Sequence, residues 1–320
     1  MSARADWNEL EVGDEIEAFV RTTDLAHWNR YAAVNDEFIP IHMDPADAQA
    51  VGQTDVFGMG NLRLAYLHNV LYDWLAGRGA IVELSCQFRG FNFKGDRLAA
   101  KGTVTAKEER DAAKLALLEI GVFNQRDENT TPGSATLLLF DSDKGHTLAA
   151  PAATAAPEKP EPGVYLDAET IGWLGRATDP VVALPVGAND IRRWAIATYY
   201  PARPPLEYYD EKLAEKGPWS GLVAPPDFNP FAWMLDLPSS APWLRGMGTE
   251  PGTRVLNGGQ HSRYFAPIRP GDVITSQASL ANAYEREGKL GTMLFLINET
   301  HWTNQHGELV RIGSGTIIYY

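Results

Sequence analysis

The chain has a single cysteine, Cys86, in 320 residues, which excludes an intramolecular disulfide and any cysteine-based zinc site. Its setting in Val82-Glu-Leu-Ser-Cys86-Gln-Phe88 is that of a buried strand position. Basic residues are scarce as well: 28 Lys and Arg stand against 41 Asp and Glu, for a net charge of −13. That deficit argues against nucleic acid or an anionic membrane as the main partner, because phosphate-rich surfaces are bound by a basic surplus. No window approaches the roughly 20 apolar residues of a membrane span, and residues 1–8 contain no apolar signal-peptide core. A cytoplasmic location is expected. Neither a G-x-x-x-x-G-K-[ST] loop nor a strand-linked G-x-G-x-x-G occurs, and Gly77-Arg78-Gly79 reads as a helix stop. His261, His301 and His306 are dispersed without ligand spacing, so neither a metal nor a cofactor is expected.

What is present is ordinary globular composition, 44% hydrophobic and 22% charged, in a chain long enough for two domains with a core each. Residues 15–20 read as a first strand, and 23–33 as a helix capped by Thr22 or Thr23, with Leu25, Trp28, Tyr31 and Ala32 on one face. A short helix is predicted over 45–50. The apolar run 62–75, stopped by Gly77 and Gly79, is the candidate central helix, with His68 as one of its core residues. Strand-like segments follow at 80–89, 97–107, 114–124 and 134–141. One long helix followed by antiparallel strands is α+β, and a sheet wrapped around a single buried helix accommodates it.

The Pro/Ala-rich residues 148–162 read as a semi-rigid linker, followed by a short helix near 168–174. Beyond it the first half is replayed. Residues 190–197 echo the helix before Asp36, 209–214 echo the helix after Asp44, and 228–237 read as a second central helix. An irregular insertion over 238–260 and a strand over 260–265 come next. The turns ending in Asp96 and Asp272 correspond. A repeat of roughly 160 residues implies duplication rather than a solenoid, whose periods are far shorter. The expected domains are 1–147, a linker with a short helix over 148–185, and 186–320.

Candidate chemistry is concentrated in Tyr31-Ala-Ala-Val-Asn-Asp-Glu-Phe-Ile-Pro-Ile-His-Met-Asp-Pro-Ala-Asp-Ala48. Asp36 and Glu37 precede Pro40, whose ring holds Ile39 extended. His42 follows, at an expected partly solvated position, and Asp44 caps the helix that Pro45 opens. A carboxylate and an imidazole presented together can grip one water and move its protons.

This stretch resembles the motif of the MaoC-like, (R)-specific enoyl-CoA hydratases, which reads aromatic-x-x-aliphatic-small-Gly-Asp-x-Asn-Pro-aliphatic-His, with a small residue six further on. Tyr31, Val34, Pro40, Ile41, His42 and Ala48 fall on the pattern. Asp36 stands where the family has glycine, Glu37 where it has aspartate and Ile39 where it has asparagine. The resemblance implies two hot-dog domains in one chain, each an antiparallel sheet wrapped around a central helix, as a pseudo-dimeric double hot dog. The second copy is degenerate, because Tyr199-Tyr-Pro-Ala-Arg-Pro-Pro-Leu-Glu-Tyr-Tyr209 replaces the acids and histidine. Its aromatic content suits it to setting substrate size.

The activity implied is reversible hydration of a trans-2-enoyl-CoA to the (R)-3-hydroxyacyl-CoA. Either Glu37 or Asp36 is then the catalytic carboxylate, His42 its partner, and Gly60 the backbone donor to the enolate oxygen. Gly58 is the alternative donor, and Asn61 a side-chain donor or helix cap. The acyl-CoA thioester is the expected partner, with Arg89, Lys94 and Arg97 as candidates for its phosphates, and a homodimer of double hot dogs is open. Two alternatives stay open: a branched, dicarboxylic (mesaconyl-like) or steroid-type enoyl-CoA as substrate, and a non-catalytic or heteromeric acyl-thioester-binding role. A thioesterase with its carboxylate on the central helix is disfavoured, since no acid lies between Gly60 and Asp73.

Overall fold

The computed structural model describes residues 5–141, 145–149, 159–236 and 241–320. Strand β1 (Phe19–Thr22) leads into helix α1 (Leu25–Asn35), the short helices α2 (Pro40–Met43) and α3 (Pro45–Ala50), and the long α4 (Gly60–Leu75). Strands β2 (Gly79–Cys86), β3 (Arg97–Arg110), β4 (Ala113–Phe123) and β5 (Asn129–Leu139) complete the first half. The second half carries α5 (Ala168–Gly172), β6 (Val181–Val182), α6 (Ala188–Tyr199), α7 (Glu211–Ala214), β7 (Val255–Tyr264), β8 (Thr275–Gly288), β9 (Gly291–Thr303) and β10 (Leu309–Tyr319).

Two compact units result. The first comprises Met1–Leu148, Pro185–Trp233 and Pro267–Asp272, and the second Ala149–Leu184, Met234–Ala266 and Val273–Tyr320. This grouping cuts across the expected boundary at residue 186, since α6, α7 and the chain as far as Trp233 belong with the first unit.

In the first unit the strands run β1-β3-β4-β5-β2, every neighbour antiparallel. Helix α4 packs on β1, β2, β3 and β4. Leu62, Leu64, Tyr66, Leu67, His68, Val70, Leu71 and Trp74 are all buried, so the helix is apolar around most of its circumference and occupies the centre of the unit. His68 is satisfied within the helix, its Nδ1 lying 2.9 Å from the Leu64 carbonyl. The helix ends at Ala76, in the left-handed region at φ 46°, whose N–H donates to Tyr72 O; Gly77, also left-handed, then turns the chain. Leu67 is fully buried. Leu67→Ala is expected to cost about 2–5 kcal/mol through lost transfer energy and the cavity left behind, read as a lowered midpoint in chemical denaturation.

Helix α6 lies against α1 and α4 in the same unit. Trp194 meets Tyr31 edge-on, with ring centroids 5.6 Å apart, and the buried Asn69 amide donates to Thr198 O at 3.0 Å. The second unit is built on strands in the order β7-β10-β9-β8-β6, again antiparallel. Leu166, Leu174, Trp243, Leu280, Leu294, Leu296 and Tyr319 form its core.

The internal duplication is written in the turns. Asp96 Oδ2 accepts from Phe93 N at 2.7 Å with Gly95 at φ 92°, and Asp272 Oδ2 accepts from Arg269 N at 2.7 Å with Gly271 at φ 90°. Asn124 Oδ1 accepts from the N–H groups of Arg126 and Glu128 while its amide donates to Glu128. Asn304 repeats those contacts with His306 and Glu308.

Three sequence expectations are corrected. The first strand starts at Phe19 rather than residue 15, where the chain meets β3 in an isolated Glu15–Thr103 bridge. Helix α1 is capped by Asp24, whose Oδ1 accepts from Ala26 N and His27 N; Thr23 is committed elsewhere, with its N–H on Asp96 O. Residues 228–236 form turns and not a central helix. Pro230 disfavours the helical region for Asn229 before it, and Trp233 sits at φ 60°, outside helical space. Residue 237 of that expected helix, 238–240 of the expected insertion and 150–158 of the expected linker lie outside the described residues. No helix among the described residues is long and apolar enough to cross a membrane.

Candidate active site

Helix α1 stops at Asn35 because Asp36 turns left-handed, at φ 54° and ψ 39°, with its N–H returning to Ala32 O. That conformation suits glycine, the residue found here in the motif described above, and aspartate is among the few L-residues that tolerate it. Glu37 N also returns to Ala32 O, at 3.1 Å. Ile39 is then extended, as expected, but Pro40 is the first residue of α2, which carries His42 in its four residues. Asp44 caps α3 through Ala46 N at 2.7 Å, as predicted.

The two acids make different contacts. Glu37 Oε2 accepts from Asn35 Nδ2 at 2.7 Å and from Asn61 Nδ2 at 3.1 Å. Burial raises its pKa above the ordinary carboxylate value, opposed by the amides of Asn61 and Asn35. Asp36 serves the backbone turn. His42 is buried, at 7% exposure, rather than partly solvated. Its Nδ1 lies 2.8 Å from Phe57 O, and its ring meets Phe57 edge-on. A carbonyl only accepts, so Nδ1 carries the proton and Nε2 presents a lone pair. Burial holds the imidazole pKa below its usual value against the Phe57 carbonyl, and the charge of Arg63 lowers it further.

Both side chains are tied to the start of α4. Glu37 reaches Asn61, its second residue, and His42 reaches Phe57, just before the helix. Gly60 is the first helical residue, and Met59 supplies no side-chain cap, so the first N–H groups of the helix, which have no intrahelical acceptor, stand at the positive end of its dipole. A Cβ on Gly60 would come within 3.2 Å of the Phe88 ring. Gly58 has a packing reason of its own: a Cβ there would collide with the Asn92 amide and lie 2.7 Å from Trp28 Nε1.

Arg63 was not foreseen as part of this site. It is buried one turn beyond Gly60, with Nη1 donating to Gly90 O at 2.6 Å and Thr130 O at 3.2 Å, and its pKa is pushed down to about 10 by burial. Its signal in the sequence is a lone cation in an otherwise apolar helix. Arg89, Lys94 and Arg97 are exposed on the strand-turn region, with the Arg89 guanidinium on Gln87 Oε1.

The degenerate stretch after α6 has no carboxylate–imidazole pair. Tyr199 OH instead donates to Asp73 Oδ1 at 2.9 Å, beside a cavity of about 560 Å³ lined by Phe19, Arg21, Asp73, Arg203 and Leu206. Asp73 is 13 residues beyond Gly60 on α4, about 20 Å along the axis at ~1.5 Å per residue, so this cavity is remote from Glu37 and His42. No cluster of His, Cys, Asp or Glu suited to a metal occurs among the described residues.

The fold defines an α+β double hot-dog protein. Across their full lengths, solved structures share it: a MaoC domain protein dehydratase from Chloroflexus aurantiacus J-10-fl has a TM-score of 0.68 at 11% identity, covering 100% of this chain and 98% of that one. A conserved hypothetical protein from Mycobacterium tuberculosis, described as having a double hotdog fold, has a TM-score of 0.62 at 16% identity, covering 99% of each chain. Residues 9–122 match the MaoC like domain, and 172–312 match the FAS1-like dehydratase domain region. An (R)-specific enoyl-CoA hydratase from Aeromonas caviae is 30% identical over 131 residues, which is 41% of this chain and 96% of that protein. The chain belongs to the MaoC-like dehydratase family.

Proposed function

We propose that this protein catalyses the reversible hydration of a trans-2-enoyl-CoA to the (R)-3-hydroxyacyl-CoA. The observation that carries the reading is that Glu37 and His42 are both tied to the start of α4, Glu37 through Asn61 and His42 through Phe57 just before it, each with an acceptor of known polarity. The Glu37 carboxylate and His42 Nε2 each accept a hydrogen of one water, leaving an oxygen lone pair for C3. As oxygen bonds C3, Glu37 takes one proton, and electrons move through C2 onto the thioester oxygen. Glu37 then returns that proton to C2 on the same face, while His42 retains its hold on the new hydroxyl. The Gly60 N–H meets the enolate oxygen, a type of contact whose removal costs about 10²–10³-fold in rate.

The similarity to the Aeromonas caviae hydratase supports the substrate class. We assign the chemistry to residues 1–147, and substrate shaping to the half beginning at residue 186, whose segment 186–233 packs with the first unit. Exposed Lys94 and Arg97 are assigned to the CoA phosphates.

The pH dependence has a definite sign. Hydration needs Glu37 ionised and His42 neutral; burial raises the first pKa above the ordinary carboxylate value and lowers the second below the ordinary histidine value. Both requirements are met as pH rises, so kcat/KM should climb through the weakly acidic range and be flat above about pH 7. Initial rates with crotonyl-CoA across pH check this, and a rate that falls from pH 6 to 8 contradicts it.

A further inference from the structure

We propose that Asn229, from the segment that replaces the second central helix, is a positioning residue for Glu37, acting through Asn35. This rests on the reading of Glu37 as the base and extends it to a residue with no contact to substrate. The hydrogen bonds form a chain: Phe231 N donates to Asn229 Oδ1 at 3.0 Å, Asn229 Nδ2 to Asn35 Oδ1 at 2.9 Å, and Asn35 Nδ2 to Glu37 Oε2 at 2.7 Å. Its direction is not free. A backbone N–H can only donate, so Asn229 must turn its oxygen to Phe231 and its nitrogen to Asn35. Asn35 must then turn its own nitrogen to Glu37. Without the outer anchor the Asn35 amide loses the partner that fixes its rotamer, and its N–H is no longer held against the carboxylate.

The segment is held in place for this purpose. Trp233 Nε1 donates to Ala33 O at 2.7 Å, near the end of α1, and its ring meets Phe38 edge-on at 6.0 Å. Phe228 packs edge-on against Trp194, which is buried on α6. Residues 229 to 233 thus latch onto the helix end that delivers Glu37, and Trp233 adopts a left-handed backbone to do so. The turn in which Asn229 Oδ1 accepts from Phe231 N holds the Asn229 amide toward Asn35.

The carboxyl titration of Glu37, followed by ¹³C NMR and assigned with Glu37→Gln, tests the proposal directly. Asn229→Ala should raise the Glu37 pKa by about one unit, since a lost donor to a charged acceptor is worth about that much, and should move the acid limb of kcat/KM with it. Asn35→Ala should do the same. In the Asn35→Ala background, Asn229→Ala should add nothing, because its route to Glu37 is gone. Asn229→Asp keeps the size and the acceptor for Phe231 N–H but cannot donate to Asn35. It should shift the titration at least as far, and it decides the matter if the alanine variant does not fold. An unmoved titration in Asn229→Ala or Asn229→Asp overturns the proposal, as does an equal Asn229→Ala shift with and without Asn35. A protein that hydrates no enoyl-CoA would overturn the functional reading instead, and the NMR titration would still report on the relay.

Discussion

Glu37→Gln is expected to lower kcat for every enoyl-CoA by about 10²–10⁴-fold, the usual contribution of a general base. The substitution keeps the length of the side chain and both neighbouring amides, so the fold is left in place while the proton acceptor is removed. Asp36→Asn, one residue earlier, is the contrast. Asp36 is a left-handed cap with no place in the Glu37–Asn61 contact, so its kcat should stay within about twofold of wild type, as for substitutions away from the machinery. Asp36→Gly should raise stability by about 0.5–1 kcal/mol, because glycine adopts φ near 54° without the steric cost of an L side chain. Steady-state rates with two acyl lengths, and denaturation midpoints, read both effects. An Asp36→Asn defect as large as that of Glu37→Gln would reassign the base.

A chain cut after residue 148 should be inactive and should not remain a folded monomer. The first half does not close its own core: α6 covers α1 and α4, with Trp194 buried against Tyr31 and Asn69 of α4 donating to Thr198. Tyr199 and Trp233 add hydrogen bonds to Asp73 and Ala33. Removing residues 185–233 strips the apolar contacts of several large side chains, each worth about 1.5–3 kcal/mol, against a typical total stability of about 5–15 kcal/mol. Loss of the near-ultraviolet dichroism of the aromatic core and aggregation on size exclusion are the expected signs. An active, monodisperse fragment would show that the first half is self-sufficient.

Much of this architecture is legible in local chemistry. Asp44-Pro45 announces α3 to the residue, the run from Leu62 to Leu75 gives the buried central helix, and the Gly-Asp turns at 95–96 and 271–272 betray the duplication. Each is fixed by side chains within a turn or two of the backbone they control. The proposed site is legible to the same depth: Glu37 and His42 stand in the motif, and the proposal of Glu37 rather than Asp36 as the base rests on its hydrogen bonds to Asn35 and Asn61, which the motif does not announce. What escaped the sequence depends on partners far along the chain. Asn35 and Asn229 are 194 residues apart, and nothing near either one announces the other. Arg63 hides in an apolar helix whose period is unaffected by one cation. The expected second central helix failed because apolar residues around 228–237 satisfied a pattern that Pro230 and the left-handed Trp233 break. The grouping of 185–233 with the first unit likewise follows from helix faces meeting in space, which no composition boundary marks.

The most direct test of the account is the reaction of crotonyl-CoA with the purified wild-type protein and Glu37→Gln, followed as loss of enoyl absorbance with chiral analysis of the product. The account predicts (R)-3-hydroxybutyryl-CoA from the wild type, with turnover lowered by about 10²–10⁴-fold in the variant. The (S) product, or a Glu37→Gln rate equal to wild type, would contradict it.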